Sequence, residues 1–229
     1  MPEQTFALSW DETGERLYET GTRRGVLYPM NAEGTGYAAG VAWNGLTTVT
    51  ESPSGAEETA LYADDIKYLS LYSAEEFGCT IEAYTYPDEW AECDGSAELA
   101  PGVLAGQQTR KAFGLCYRTV LGNDSLGEAY GYKLHLIYGG KASPSDRSYS
   151  TINDSPEAIS FSWEVKTTPV TTGNAALKPT SYIVIDSTKA DDTKLAALEA
   201  ILYGTPASGN AEAVDPRLPL PSEIVSLMS

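Results

Sequence analysis

Ala158-Ile159-Ser160-Phe161-Ser162-Trp163-Glu164-Val165-Lys166-Thr167-Thr168 is the stretch that decides the fold class. Ile159, Phe161, Trp163 and Val165 alternate with Ser160, Ser162, Glu164 and Lys166. A period of two puts all four large residues on one face of an extended strand, whereas a helix would scatter them around its axis. The same period runs through residues 128–138, where Tyr130, Tyr132, Leu134, Leu136 and Tyr138 alternate with Gly131, Lys133 and His135. Residues 110–121 form a third strand, and the turn formers Gly122-Asn123-Asp124 predict a hairpin into the Tyr130 strand. Further strands are expected over 78–86 and over 37–50, the latter weakened at Gly40 and Gly45. Residues 182–186 are short, β-branched and apolar, which predicts a buried strand.

Helices are few. Residues 191–203 form the best one, with Asp191 as N-cap, Leu195, Leu198, Ile201 and Leu202 on one stripe, and Gly204 and Pro206 as a stop. A short helix at 88–93 would be anchored by Trp90. From Thr205 onward, Pro, Gly, Ala and Ser dominate without periodicity, so 205–229 reads as an extended C-terminal arm. Ile224, Val225 and Leu227 near its end would dock on a neighbour. The expectation is a single mostly-β domain over 1–204, a sandwich or barrel with one flanking α-helix.

Charge narrows the function classes. The 229 residues carry a formal charge of −17, which excludes a generally DNA-attractive surface because phosphate affinity rests on Lys and Arg. Residues 1–100 hold 19 acids and 4 bases, against 13 and 11 in the remainder. The excess is either a solvated face that keeps the protein dispersed or a surface that must repel polyanions. Three irregularly spaced cysteines read as free thiols in a reducing compartment. The first residues lack a basic and an apolar region, and no apolar run reaches the ~18–20 residues of a bilayer span. The protein is therefore expected to be made and folded in a cytoplasm, with no membrane insertion.

A search for chemistry finds little. His135 is the only histidine, and its place off the apolar strand face reads as a surface or partner contact. One histidine and three scattered cysteines do not assemble the usual zinc set, and no Asp-x-Asp-x-Asp-Gly calcium spacing occurs. No nucleophile elbow accompanies His135. The doublets Asp64-Asp65, Glu75-Glu76 and Asp88-Glu89 offer carboxylates for glycoside hydrolysis, but adjacent strand residues point to opposite faces. Fifteen tyrosines fit either a sugar-stacking surface or half-buried strand packing; the Leu residues sharing the Tyr130 face favour packing. No catalytic residue, metal or cofactor is expected.

Three ordered segments resemble one family. Leu61-Tyr62-Ala63-Asp64-Asp65 entering the run Ile66-Lys67-Tyr68-Leu69-Ser70-Leu71 resembles the loop-to-strand signature of the major tail proteins of long, non-contractile-tailed bacteriophages. Phe161-Ser162-Trp163-Glu164-Val165-Lys166-Thr167-Thr168-Pro169-Val170 resembles their late strand. Tyr182-Ile183-Val184-Ile185-Asp186, followed by the helix ending at Tyr203-Gly204, resembles their closing strand-helix unit. The likeness covers residues 37–204. It implies hexameric rings with a continuous inner β-barrel, stacked into a tail tube that encloses a tape measure protein and later conducts double-stranded DNA. Tail terminator and distal tail proteins would be further partners, and the virion tail the location.

On that resemblance, acids near 75–82 (Glu75, Glu76 and Glu82) are expected to line the lumen. Leu61 and Tyr62 would anchor an intersubunit or inter-ring loop over 51–65, and Asp64-Asp65 would turn the chain into a barrel strand. The competing expectations are a carbohydrate-binding or decoration β-sandwich of a virion and, further off, a hydrolase.

Overall fold

The computed structural model describes residues 8–152, 154, 157–209 and 212–229. Residues 1–7, at the head of the expected domain, lie outside that range. The strands are β1 (Leu17–Pro29), β2 (Val41–Ala42), β3 (Leu46–Glu51), β4 (Ser54–Gly55), β5 (Glu58–Ala63), β6 (Ile66–Tyr72), β7 (Glu75–Glu76) and β8 (Gly78–Ala83). They continue as β9 (Ala97–Ala100), β10 (Val103–Ala105), β11 (Phe113–Asn123), β12 (Gly127–Ala142), β13 (Phe161–Thr167) and β14 (Tyr182–Asp186). Three helices, α1 (Trp90–Cys93), α2 (Asp192–Tyr203) and α3 (Pro221–Met228), complete the fold.

Eight strands form one antiparallel sheet in the order β2-β1-β11-β12-β13-β8-β3, with β14 also paired to β12. The long strand β12 serves two partners in succession: Lys133–Ile137 pairs with β14, and Gly140–Ala142 pairs with β13. The switch lies at Gly139, which has φ +59° and accepts a bond from Thr168 N. A Cβ there would stand 2.3 Å from the Thr168 carbonyl oxygen, so only glycine permits the bulge.

The middle strands are buried on both faces, which explains the unbroken apolar run Phe113–Tyr117. One face presents Leu27, Phe113, Leu115, Tyr117 and Ile137 to the layer made by β3, β8 and β13. There Trp43, Trp90 and Trp163 pack mutually with ring centroids 4.7–5.9 Å apart. The single turn of α1 exists to deliver Trp90 and Cys93 into this core. The other face presents Val26, Tyr28, Cys116, Leu134, Leu136 and Tyr138 to the helices.

Helix α2 begins as its sequence predicts, with the Asp191 carboxylate accepting from the N–H groups of Thr193 and Lys194 at 3.0 Å each. Leu195, Leu198 and Leu202 face the sheet. The described residues after Thr205 correct one expectation. They are not an extended arm but return to their own chain, pinned by a Thr205–Val214 bridge and by Arg217 N–H donating to the Ile201 carbonyl. Leu218 and Ile224 enter the second core, and Tyr138 OH donates to the Pro219 carbonyl at 3.0 Å. A second helix, α3, thus joins the expected one. Its starter Pro221 sits at the first helical turn, where a missing N–H costs nothing.

Several strand boundaries also shift: the strand expected over 37–50 divides into β2 and β3, and the one expected over 78–86 ends at Ala83. Ile159 lies outside β13 and is exposed, and β11 begins at Phe113 rather than at residue 110. If α3 belongs to its own subunit's core, Ile224→Ala should destabilise the isolated chain by roughly 2–4 kcal/mol, the range for emptying a buried aliphatic site. Urea unfolding measures this. A change below about 0.5 kcal/mol would return the C-terminal segment to a neighbour.

Candidate assembly surface

Strands β3 and β8 do not stop at the edge of the body. Their ladder passes through Ser52 N–H to the Gly78 carbonyl, continues as β4–β7 and ends as the β5–β6 hairpin. Gly55 (φ +84°) permits one tight step in it, since a Cβ would sit 2.1 Å from the Ala74 carbonyl oxygen. Residues 54–76 therefore form a two-stranded arm. Ten residues from Ser54 to Ala63 at roughly 3.3 Å each reach about 30 Å.

The tip is Asp64-Asp65, with φ +50° and +64°. Two consecutive residues in the left-handed region make the type I′ geometry whose twist suits a two-residue hairpin. Asp tolerates this conformation better than most residues. The expected turn is thus present, but it does not feed a barrel strand, because β6 pairs with β5 alone. Likewise the expected loop over 51–65 is mostly strand.

The arm is apolar where nothing covers it. Leu61 stands opposite Leu69, and Thr59 opposite Leu71, on one face; Glu58 faces Tyr72, Ala60 faces Ser70 and Tyr62 faces Lys67 on the other. Tyr62, Ile66, Tyr68 and Tyr72 are each 65–73% exposed, and Leu61, Leu69 and Leu71 41–52%. An isolated two-stranded hairpin is only marginally stable in water. A second exposed hairpin, β9–β10, carries Leu99, Val103 and Leu104.

The structure brings Leu61, Tyr62, Asp64 and Asp65 together on this arm. Glu75 and Glu76 are exposed at its root, paired with Gly55 and Ser54. Glu82 lies in the body, on the side of β8 opposite Cys79, Ile81 and Ala83, in register with Thr48 and Ser162. With Thr50, Thr80, Glu164 and Lys166 it makes a polar sheet face. The three acids thus occupy two places. Ile66, Tyr68, Leu69, Leu71 and Tyr72 share the arm with them and were not among the expected contact candidates; two alternating runs flanking a two-residue Asp-Asp turn were the available signal.

His135 also departs from expectation, being 6% exposed. Its ring stacks on Tyr117 at 4.6 Å, with Nδ1 2.6 Å from Tyr182 Oη and Nε2 2.8 Å from Thr119 Oγ1. Tyr117 and Tyr182 both donate to Glu51, at 3.0 and 2.5 Å, and Lys133 donates to Glu19. Thr119 Oγ1 also lies 2.5 Å from Glu19, so its single proton serves one partner at a time. With Tyr182 donating to Glu51 and Thr119 to Glu19, both hydroxyl oxygens are left to accept from the ring, and a neutral ring donates from only one nitrogen at a time.

Burial pushes the His135 pKa down, against the opposing pull of Glu51 and Glu19. Burial alone would raise Glu19, but hydrogen bonds from Lys133 and Thr119 bring it below its ordinary value. Burial drives the Tyr117 and Tyr182 hydroxyls far upward, so they stay protonated donors. The three cysteines are buried free thiols, each pushed up to about 12 by desolvation. Among the described residues, no group of three or more His, Cys, Asp or Glu side chains is placed to hold a metal, and no helix is long and apolar enough to cross a membrane.

Neither family models nor curated proteins give any match to this chain.

The cluster predicts a pH dependence. A His pKa lowered by folding means that the unfolded chain binds the proton more readily. Stability is then intact above the unfolded value near 6.5 and falls as the pH drops below it. Glu19, also lowered, loses its contribution below about 4.5 in the same direction. The melting temperature should decline from pH 7.5 to 5.5, and His135→Gln should flatten that slope whatever it does to the absolute value. An equal slope in the variant would remove His135 as the cause.

Proposed function

We propose that the chain is a structural virion subunit that polymerises through its arm, as hexameric rings stacked into a phage tail tube. The observation that carries the reading is the apolar ribbon over 54–76, which has no packing partner among the described residues. Exposed, it is an aggregation hazard; covered by a neighbouring copy, it is an interface. The magnitudes favour many copies over one contact. Burying a Leu- or Ile-sized side chain is worth roughly 1.5–3 kcal/mol. Four of these on the arm therefore only match the roughly 4–15 kcal/mol that association costs. Each subunit in a closed ring holds neighbours on both sides, so the contacts reinforce one another.

The polar face carrying Glu82 and Glu164 supports a second part of the proposal. Lining a narrow channel, these carboxylates would keep passing double-stranded DNA off the wall. Screening at physiological salt limits that repulsion to about 8 Å, so only a close-fitting tube benefits. Glu75 and Glu76, at the arm's root, belong to the same lumenal proposal only if the root turns inward. The tape measure protein would fill the channel before DNA does, and terminator and distal tail proteins would cap its ends. Covalent chemistry has no part in this function.

One observation favours a second reading. Tyr62, Tyr68 and Tyr72 are exposed together on the arm, as in a surface that stacks on sugars. Such a decoration or carbohydrate-binding module would bind glycans as a stable monomer.

Negative-stain images of concentrated wild-type protein should show tubes, and Leu61→Ser combined with Leu69→Ser should leave soluble monomers. Because both sites are exposed, the variant's melting temperature should stay close to wild type. Wild-type protein that remains monomeric at every concentration overturns the proposal. In assembled particles Glu82→Lys should slow DNA ejection while tubes still form; unchanged ejection kinetics would reject a lumenal Glu82.

A further inference from the structure

We infer that the acidic tip of the arm docks in a basic cleft at the opposite end of a second copy, and this rests on the self-assembly reading above. The cleft, about 790 Å³, lies where β1, the β2–β3 connection and the end of α2 meet. Val26, Ala42, Leu46 and Pro216 give it apolar walls, and Arg23 and Arg24 stand at its mouth.

Arg24 is held there by an unusual backbone. It has φ +53°, a conformation that a residue other than glycine adopts at a cost, and it sits within a register shift between Arg23 and Val26. The bulge takes Arg24 out of the ladder with β11. Its guanidinium lies 5.6 Å from the Tyr203 ring, and among the described residues it has no carboxylate partner. Among the described residues Arg23 pairs with Glu128, at 2.7 Å, with both side chains about half exposed. Exposed pairs of this kind are worth roughly 0–1 kcal/mol and exchange readily for a better partner.

The arm's tip is the complement. Asp64 and Asp65 project at the turn, with Tyr62 and Ile66 exposed on either side. The arm's single base, Lys67, is held by Glu58. The tip therefore offers two carboxylates and two apolar side chains to a cleft with two guanidinium groups and apolar walls. Residues 1–100 contain only four bases, and Arg23-Arg24 is the one adjacent pair among them.

Placement makes the contact intermolecular. Leu46, at the start of β3, lines the cleft, and the arm leaves beyond Glu51, at the other end of the same strand. The six residues of β3 separate the two sites by roughly 20 Å, and the arm runs outward for about 30 Å more. The tip and cleft are different surfaces at opposite ends of the molecule. Their union is head-to-tail, so it either closes a ring or propagates along a filament.

Charge reversal tests this in the full chain. Arg23→Glu with Arg24→Glu should raise the concentration needed for tube formation at least tenfold. Asp64→Lys with Asp65→Lys should do the same, and Asp64→Asn with Asp65→Asn, which keeps the turn, should give a smaller rise. Mixing the two charge-reversed chains should restore assembly to within about twofold of wild type, because every contact in an alternating array is again complementary. A melting temperature close to wild type would show that each variant is folded.

A second measurement does not depend on polymers. The native cysteines are buried, so Arg24→Cys and Asp65→Cys chains, mixed under diamide, should cross-link to each other faster than either does alone. Tubes that form normally from the Arg23→Glu, Arg24→Glu chain, or a mixture that neither assembles nor cross-links preferentially, would overturn the docking inference alone. Wild-type protein that never assembles would instead overturn the functional reading beneath it.

Discussion

The structure depends on one constraint: β3 and β8 form a single ladder of which only half is inside the protein. The inner half supplies Cys79, Ile81 and Ala83 to the tryptophan core, and that burial fixes its register. The outer half inherits the register but receives no core. Its residues alternate correctly for a half-buried ribbon, yet among the described residues no layer lies against either face. The body is complete without the arm, while the arm's apolar side chains stay exposed.

The rest of the fold makes the body rigid enough to hold such an arm. Burying the sheet formed by β1, β11 and β12 on both sides ties two cores to one set of strands. The tryptophan core lies on the arm's side of that sheet and the helices lie on the other. Thr167 and Phe77 show the coupling at the arm's root. The Thr167 hydroxyl donates to the Phe77 carbonyl at 2.6 Å, and the Phe77 ring stacks on Tyr182 at 4.8 Å. Tyr182 in turn reaches His135 and Glu51. The buried histidine cluster thus sits next to the place where the arm leaves the body. Its value is positional: it fixes the end of β3 through Glu51 by bonds to donors that stay protonated.

Much of this was legible in the sequence, for identifiable reasons. Strands with one buried face, such as β12 and β13, announce themselves by alternation, and α2 by its Asp191 cap, leucine stripe and Gly204 stop. The β11–β12 hairpin followed from Gly122-Asn123-Asp124. What stayed hidden lacked a local signal. The C-terminal return depends on Leu218 and Ile224 meeting a surface assembled from distant strands, and aperiodic Pro-rich chain carries no trace of that. The burial of His135 arises because β14 and Glu51 cover the polar side of β12, where alternation alone predicts exposure. The arm was half legible: its turn and alternation could be read, but alternation cannot say whether the apolar face meets its own chain or another.

That ambiguity explains the uneven charge. A ribbon with exposed Leu, Ile and Tyr on both faces would pair edge to edge with any copy it met, in any register. Acids at its tip and root, Glu57, Glu58, Asp64, Asp65, Glu75 and Glu76, make such arm-to-arm pairing repulsive. On the docking inference the same acids would favour a basic counterpart, and in the acidic first hundred residues Arg23-Arg24 is the adjacent pair that would supply one. Charge that excludes the wrong partner would then also select the right one, which is the usual route to specificity when the hydrophobic contribution is indiscriminate. Six of the 19 acids in the first hundred residues lie on this ribbon and Glu82 lies on the polar sheet face at its base, so the ribbon accounts for part of the acidic excess and other surfaces carry the rest.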